Sequence, residues 1–197
     1  MQKKRFIITG GSGFVGQFLI KKLSSIYPDT EIHNLDINPP IGLSFSNLTN
    51  HIIDLRSKQS LNSFNFSEND TVYHLASYIF TEKVPSKTKR EAWFESLNVY
   101  GTQNLLCAME KNGAKNIAFV STDMVYGSPE TTPIETNHPL KPNGPYGLSK
   151  VKAEKLIVDF SASKNVRSII FRPRMIVGPG RFGLLNKLFF LICNNLP

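Results

Sequence analysis

Phe6, Ile7 and Ile8 form an unbroken apolar run of the kind that a strand buried on both faces shows, and glycines follow at Gly10, Gly13 and Gly16. Beyond the first of these, Phe14, Val15, Phe18, Leu19 and Leu23 recur at helical spacing, which predicts a helix over residues 14–25 with that face inward. Tyr27, Pro28 and Asp29 break it. Residues 31–36, 51–55, 71–75, 116–121 and 166–171 read as further strands. Residues 92–112 and 151–163 read as helices, the second with Val151, Ala153, Leu156, Ile157 and Phe160 inward. Strands alternating with helices predict an α/β fold built on a doubly wound parallel sheet. No internal repeat or low-complexity segment interrupts the pattern.

Composition narrows the class without changing that picture. The 197 residues are 41% hydrophobic and 19% charged, which is globular. A net charge of +8 invites an acidic partner, but the basic residues are scattered apart from residues 3–5, 21–22 and 83–90, and no nucleic-acid face is expected. Two cysteines, Cys107 and Cys193, make neither a disulfide framework nor a metal set; Cys107 falls in a helical apolar pattern and is expected to be buried. With no signal peptide and no apolar run of about 18 residues, a cytoplasmic protein is expected, with no membrane span.

The glycine spacing carries the first chemistry. Gly10 permits a tight turn, Gly13 lets the backbone approach a pyrophosphate and Gly16 lets the helix lie close on the strand. Phosphates would sit at the positive end of the helix dipole near Ser12, Gly13, Phe14 and Val15. Asp36 ends the second strand about 20 residues on, where a carboxylate accepts from both hydroxyls of an adenine ribose and repels a 2′-phosphate; NAD is therefore expected over NADP. Asp54 stands where it can accept from an adenine amino group, and the small pair Ala76 and Ser77 leaves room for a dinucleotide. His74 lies within an apolar strand and reads as a satisfied core histidine.

The second half carries a reactive pair. Tyr146 and Lys150 stand four apart at the start of a helix, on one face, and an ammonium near a phenol is expected to lower the phenol's pKa. So tuned, Tyr146 moves a proton on and off a substrate hydroxyl near neutral pH. Thr122, after the fifth strand, could hold the same oxygen.

The stretches TGGSGFVG, NLDINP, IIDLRS, VYHLAS, NVYGTQNLL, FVSTDMVYG, PYGLSK and FRPRMIVGPGR, in this order from Thr9 to Arg181, resemble the extended short-chain dehydrogenases/reductases of the NAD-dependent epimerase/dehydratase family. The resemblance implies a Rossmann domain over residues 1–180 and an incomplete substrate domain over 181–197. Leu184, Leu185, Leu188, Phe189 and Leu191 there form an apolar helix face that needs a partner. Residue by residue it implies Gly10, Gly13, Phe14 and Val15 on the pyrophosphate, Asp36 on the adenosine ribose, and Asp54 and Leu55 at the adenine. Leu75, Ala76 and Ser77 would line the dinucleotide, with Asn98, Ser121, Pro173 and Ile176 near the nicotinamide. Tyr146 would be the acid/base, Lys150 would hold the nicotinamide ribose, and Thr122 would be the hydroxyl partner.

Sugar 4,6-dehydratases of that family carry Thr-Asp-Glu after the fifth strand, whereas here it reads Thr122, Asp123, Met124. Without the glutamate, dehydration is disfavoured, and epimerisation or oxidoreduction of a nucleotide sugar is expected. Asp123 either touches substrate or caps its loop. Arg181, with Arg174 beside it, either meets a substrate diphosphate or makes a surface ion pair. A hydroxysteroid-type dehydrogenase and a non-catalytic NAD-binding fragment are the alternative readings, and a homodimer follows by analogy.

Overall fold

A computed structural model describes residues 4–80, 84–181 and 185–194; Lys3, Lys83 and Leu184, named above, lie outside them, as do the side chains of Leu185 and Leu188. The apolar run of β1 (Arg5–Thr9) is explained by its place at the centre of the sheet, paired in parallel with β2 (Glu31–Asp36) on one side and β4 (Asp70–His74) on the other. Ile7 enters one core with Leu35, Val72, Leu105 and Phe119, while Phe6 and Ile8 enter a second core with Ile20, Leu23 and Ile32. With β3 (Leu48–Ile52), β5 (Asn116–Val120) and β6 (Arg167–Phe171), the described strands form one parallel sheet in the order β3-β2-β1-β4-β5-β6. The order reverses between β1 and β4, and in such sheets ligands occupy the crevice beyond the carboxyl ends of the strands there.

Helix α1 (Phe14–Ile26) covers the smaller core with part of the predicted face, since Leu23 is buried there and Leu19 packs against it. Gly16, Ile20, Leu23 and Ser24 are its buried residues, and Phe18 stands exposed. The helix is held where Gly16 meets the turn, and that contact sets its rotation. A β-carbon at Gly16 would lie 2.4 Å from the Gly11 Cα and 2.6 Å from the Gly10 carbonyl oxygen.

The third strand is β3 rather than residues 51–55. As an edge strand it pairs only with β2, through Ile32 to Asp36. Ile53 and Leu55, the strongest apolar signals, are buried just past its end. A short helix, α2 (Lys58–Asn62), follows, capped by the Ser57 side chain.

The single helix expected over 92–112 is two, α3 (Arg90–Asn98) and α4 (Tyr100–Asn112), broken at Val99. There the Thr102 hydroxyl donates to the Asn98 carbonyl at 2.7 Å, a side-chain bond of the sort that bends helices. Cys107 is on the exposed side of α4, not buried as expected, because Leu105, Leu106 and Met109 take the core positions. Helix α5 (Gly144–Lys164) begins well before residue 151, with a proline in its first turn and the left-handed Asn165 at its end. Helix α6 (Leu185–Cys193) carries exposed Phe189, Phe190, Leu191 and Ile192.

Replacing Gly16 by Ala should cost about 2–3 kcal/mol, because both close atoms are backbone and cannot swing aside. A urea midpoint well below that of the native chain is expected; an unchanged midpoint would mean that α1 does not rest on the turn.

Candidate active site

The cleft begins at the turn after β1. Gly10 has φ +71°, and a side chain there would strike the Ala76 backbone nitrogen at 2.6 Å, so the turn lies directly against the end of β4. Its own amide donates to the Leu35 carbonyl, and the Gly13 amide donates to the Gly10 carbonyl. No side chain caps α1, and its first turn holds no acidic residue, which leaves a helix N-terminus suited to an anion. The Asp36 carboxylate accepts from the Ser12 and Asn38 amides, each at 3.1 Å, and so faces the turn.

These groups open onto a cleft of about 660 Å³. Gly10, Gly13, Asp36, Asp54, Leu55, Leu75, Ala76 and Ser77, all singled out from the sequence, line it. Phe14 lies elsewhere, beneath Gly178 and the Arg181 guanidinium, which stands 5.5 Å from its ring centre. Val15 is half-buried in the same turn of helix. Ile37, Ile41, Arg56, Tyr78 and Leu97 also line the cleft and were missed. For Arg56 a signal existed, since a cation two residues after Asp54 in a turn folds back on its carboxylate.

Outside the lining of that cleft, past the end of β5, Thr122 caps a single turn of 3-10 helix, Asp123–Val125, by accepting from the Met124 amide. Its hydroxyl donates to Asp123 Oδ1 at 3.3 Å and stands close enough to the Tyr146 phenol to lower that group's pKa. Asp123 is half-buried, its amide donating to the Pro173 carbonyl at 3.0 Å and its carboxylate 3.9 Å from the Arg174 guanidinium. Ile176 is exposed. The Ser121 hydroxyl is buried and has no hydrogen-bond partner, an open polar atom at the strand end where a ligand group is expected.

Lys150 corrects one expectation. Its ammonium is buried, donates to the Val120 carbonyl at 2.8 Å and lies 4.1 Å from the Phe119 ring centre. Burial brings its pKa down to about 7, with Glu154 opposing. The Tyr146 pKa is raised above its ordinary value rather than lowered: burial dominates, Asp123 adds to it, and the Thr122 hydroxyl and the charge of Arg181 pull the other way. Turned toward the sheet, Lys150 is not among the groups that tune the phenol.

Asn98 ties these parts together. Its side-chain oxygen accepts from the Tyr78 amide and the Ser77 hydroxyl, and its side-chain nitrogen donates to the Ser149 hydroxyl, which donates to the Tyr146 carbonyl. His74 is a core residue, as read: its ring nitrogens meet the Thr9 and Thr102 hydroxyls at 2.7 and 2.8 Å, and burial takes its pKa down to about 3. Among the described residues no cluster of His, Cys, Asp and Glu could hold a metal ion, and no helix is long and apolar enough to cross a membrane.

The chain is 37% identical over 184 residues to the N-acetyl-alpha-D-glucosaminyl-diphospho-ditrans,octacis-undecaprenol 4-epimerase of Escherichia coli O157:H7, covering 92% of this chain and 52% of that protein. It is 31% identical over 190 residues to the UDP-glucose 4-epimerase of Bacillus subtilis (strain 168), covering 90% and 55%. The chain thus spans about half the length of the curated relatives it matches. Among solved structures, a short-chain dehydrogenase/reductase superfamily protein from Agrobacterium tumefaciens with bound NAD aligns with a TM-score of 0.73 at 26% identity, over 85% of this chain and 48% of that one. The sequence profile of the NAD dependent epimerase/dehydratase family matches residues 6–195, and with that span the chain belongs to this family.

Proposed function

We propose that this chain is the NAD-binding and catalytic part of a 4-epimerase, or a related oxidoreductase, that acts on the carbinol of a sugar carried on a diphosphate. The observation that carries the reading is the Thr122 hydroxyl close to the Tyr146 phenol, in a chain whose Gly10–Asp36 turn opens onto a cleft at the carboxyl edge of the sheet. The relatives' names support the substrate class: one acts on UDP-glucose and the other on a lipid-linked N-acetylglucosaminyl diphosphate, and the shared chemistry is a hexose on a diphosphate.

The residues fit the cofactor. The uncapped N-terminus of α1 would take the pyrophosphate and Asp36 the adenosine ribose, and the free Ser121 hydroxyl would border the nicotinamide half. When bound, NAD supplies the acceptor and then the donor of a hydride at the carbinol carbon. Thr122 holds the substrate oxygen, and Tyr146 takes its proton. Lys150 would hold the nicotinamide ribose, its amine poised near neutrality. Arg181 is available to a substrate diphosphate and also favours the phenolate electrostatically. Residues from 181 onward begin the substrate-binding part, and the outer faces of α3, α4 and α5, with Tyr100 of α4 and Val158 of α5 exposed, would pair in a homodimer. Met124 in place of an acid speaks against dehydration.

Three measurements test this reading. NAD at a hundred times its dissociation constant should stabilise the chain by about 2.7 kcal/mol, raising the melting temperature, while NADP at equal concentration should not; equal shifts would remove the role of Asp36. Tyr146→Phe should lower turnover of UDP-glucose by about 10²–10⁴-fold and keep the NAD-induced shift; turnover of a hydroxysteroid instead of the sugar would favour the other dehydrogenase reading. Lys150 holds its proton to about pH 7 when folded without NAD, against an ordinary 10.5. Between these values the unfolded chain binds more protons, so stability rises with pH. From pH 6.5 to 9 the native melting temperature should therefore gain on that of Lys150→Met; parallel curves would place the amine in solvent.

A further inference from the structure

Asp54 sits in a turn beyond the end of β3, where no strand pairing fixes it. Its carboxylate is instead gripped by one residue. The Arg56 amide donates to Oδ1 at 2.9 Å, Nε reaches Oδ1 at 2.9 Å and Oδ2 at 3.0 Å, and Nη2 donates to Oδ2 at 2.6 Å. The remaining fork nitrogen, Nη1, donates to the Tyr78 hydroxyl at 2.8 Å. Tyr78 is itself immobilised: its ring stacks on Trp93 at 4.1 Å and 5°, and its backbone amide and carbonyl are both held by the Asn98 side chain. Asp54, Arg56 and Tyr78 all line the cleft.

We infer that Arg56 is a positioning residue for base recognition, orienting the Asp54 carboxylate toward an adenine 6-amino group and tying it through Tyr78 to the β4 side of the cleft. The inference rests on the reading of the cleft as the adenosine site. The three N–H groups of Arg56 make four contacts, two to each oxygen, with Nε shared between both, so an incoming amino donor takes the place of one arm of that shared contact while the other two bonds keep the carboxylate oriented. The pair is partly exposed, so its worth to folding is small and its geometric effect is separable from stability. The guanidinium also holds the Asp54 carboxyl below its ordinary pKa, keeping it an acceptor.

The test compares dissociation constants for NAD and for nicotinamide hypoxanthine dinucleotide, in which an oxo group replaces the amino group, on the native chain, Arg56→Met and Tyr78→Phe. The native chain should prefer NAD by about tenfold, the size of one hydrogen bond to a charged group. Arg56→Met should weaken NAD by about tenfold and leave the hypoxanthine analogue unchanged. Tyr78→Phe, which keeps the ring stack, should move the same ratio by about threefold. Equal weakening of both dinucleotides by Arg56→Met would show that Arg56 touches phosphate or stacks on the base, and no weakening of either would show that it does nothing; each overturns the inference while leaving the Asp54 reading intact. A native chain that binds both dinucleotides alike would remove the Asp54 reading, and the inference with it. Melting temperatures without ligand check that both variants are folded.

Discussion

One buried imidazole ties the glycine turn to the helices that carry Asn98 and Tyr146. His74 bridges the Thr9 hydroxyl, at the start of the glycine turn, to the Thr102 hydroxyl, at the break between α3 and α4. From Thr9 the bonding continues to the Ala76 amide, and from Thr102 it passes through Asn98 and Ser149 to the backbone of Tyr146. Every member is satisfied, and a fully satisfied buried network fixes a single arrangement where an apolar core would tolerate several. Burial keeps the ring neutral, so one nitrogen donates and the other accepts at any pH the protein meets. The glycine turn and the backbone of Tyr146 are therefore placed by one chain of hydrogen bonds anchored on the sheet.

Buried charge elsewhere serves the same placement. Arg172, just past β6, forks onto Glu154 of α5 and reaches the Tyr126 hydroxyl. The next residue, Pro173, presents its carbonyl to the Asp123 amide, so this ion pair sets the height of the Thr122–Asp123 turn above the sheet. Lys150 has no carboxylate in direct contact; a backbone carbonyl and an aromatic face hold it. An ammonium so poorly compensated releases its proton readily, which explains why it titrates near neutrality while Arg172 stays charged.

The parts that were legible in the sequence are those set by local rules. Gly10 and Gly16 are demanded by a positive φ and by backbone contact, and no other residue satisfies either, so their spacing announced the turn. The i, i+4 spacing of Tyr146 and Lys150 follows from helix geometry once the proline and the polar run that open α5 are recognised. The β3 boundaries failed because an edge strand buries little, and the apolar signal belonged to the turn after it. On α1, Leu19 and Leu23 face the core as read and Phe18 does not, because close backbone contact at Gly16 brings Gly16 and Ile20 to the centre of the buried face.

By itself the sequence determined the fold class, the glycine turn, the acidic end of β2 and the helical pairing of Tyr146 with Lys150, because each depends on residues close along the chain or on the alternation of apolar runs. Only the tertiary structure decided what those groups feel. The phenol is raised by burial against Phe80 and Phe94, the amine turns to a strand carbonyl, and Arg56 grips Asp54 from across a turn while leaning on Tyr78, 22 residues away. Desolvation and charge–charge coupling depend on distance in space, and nothing in the spacing along the chain encodes that distance.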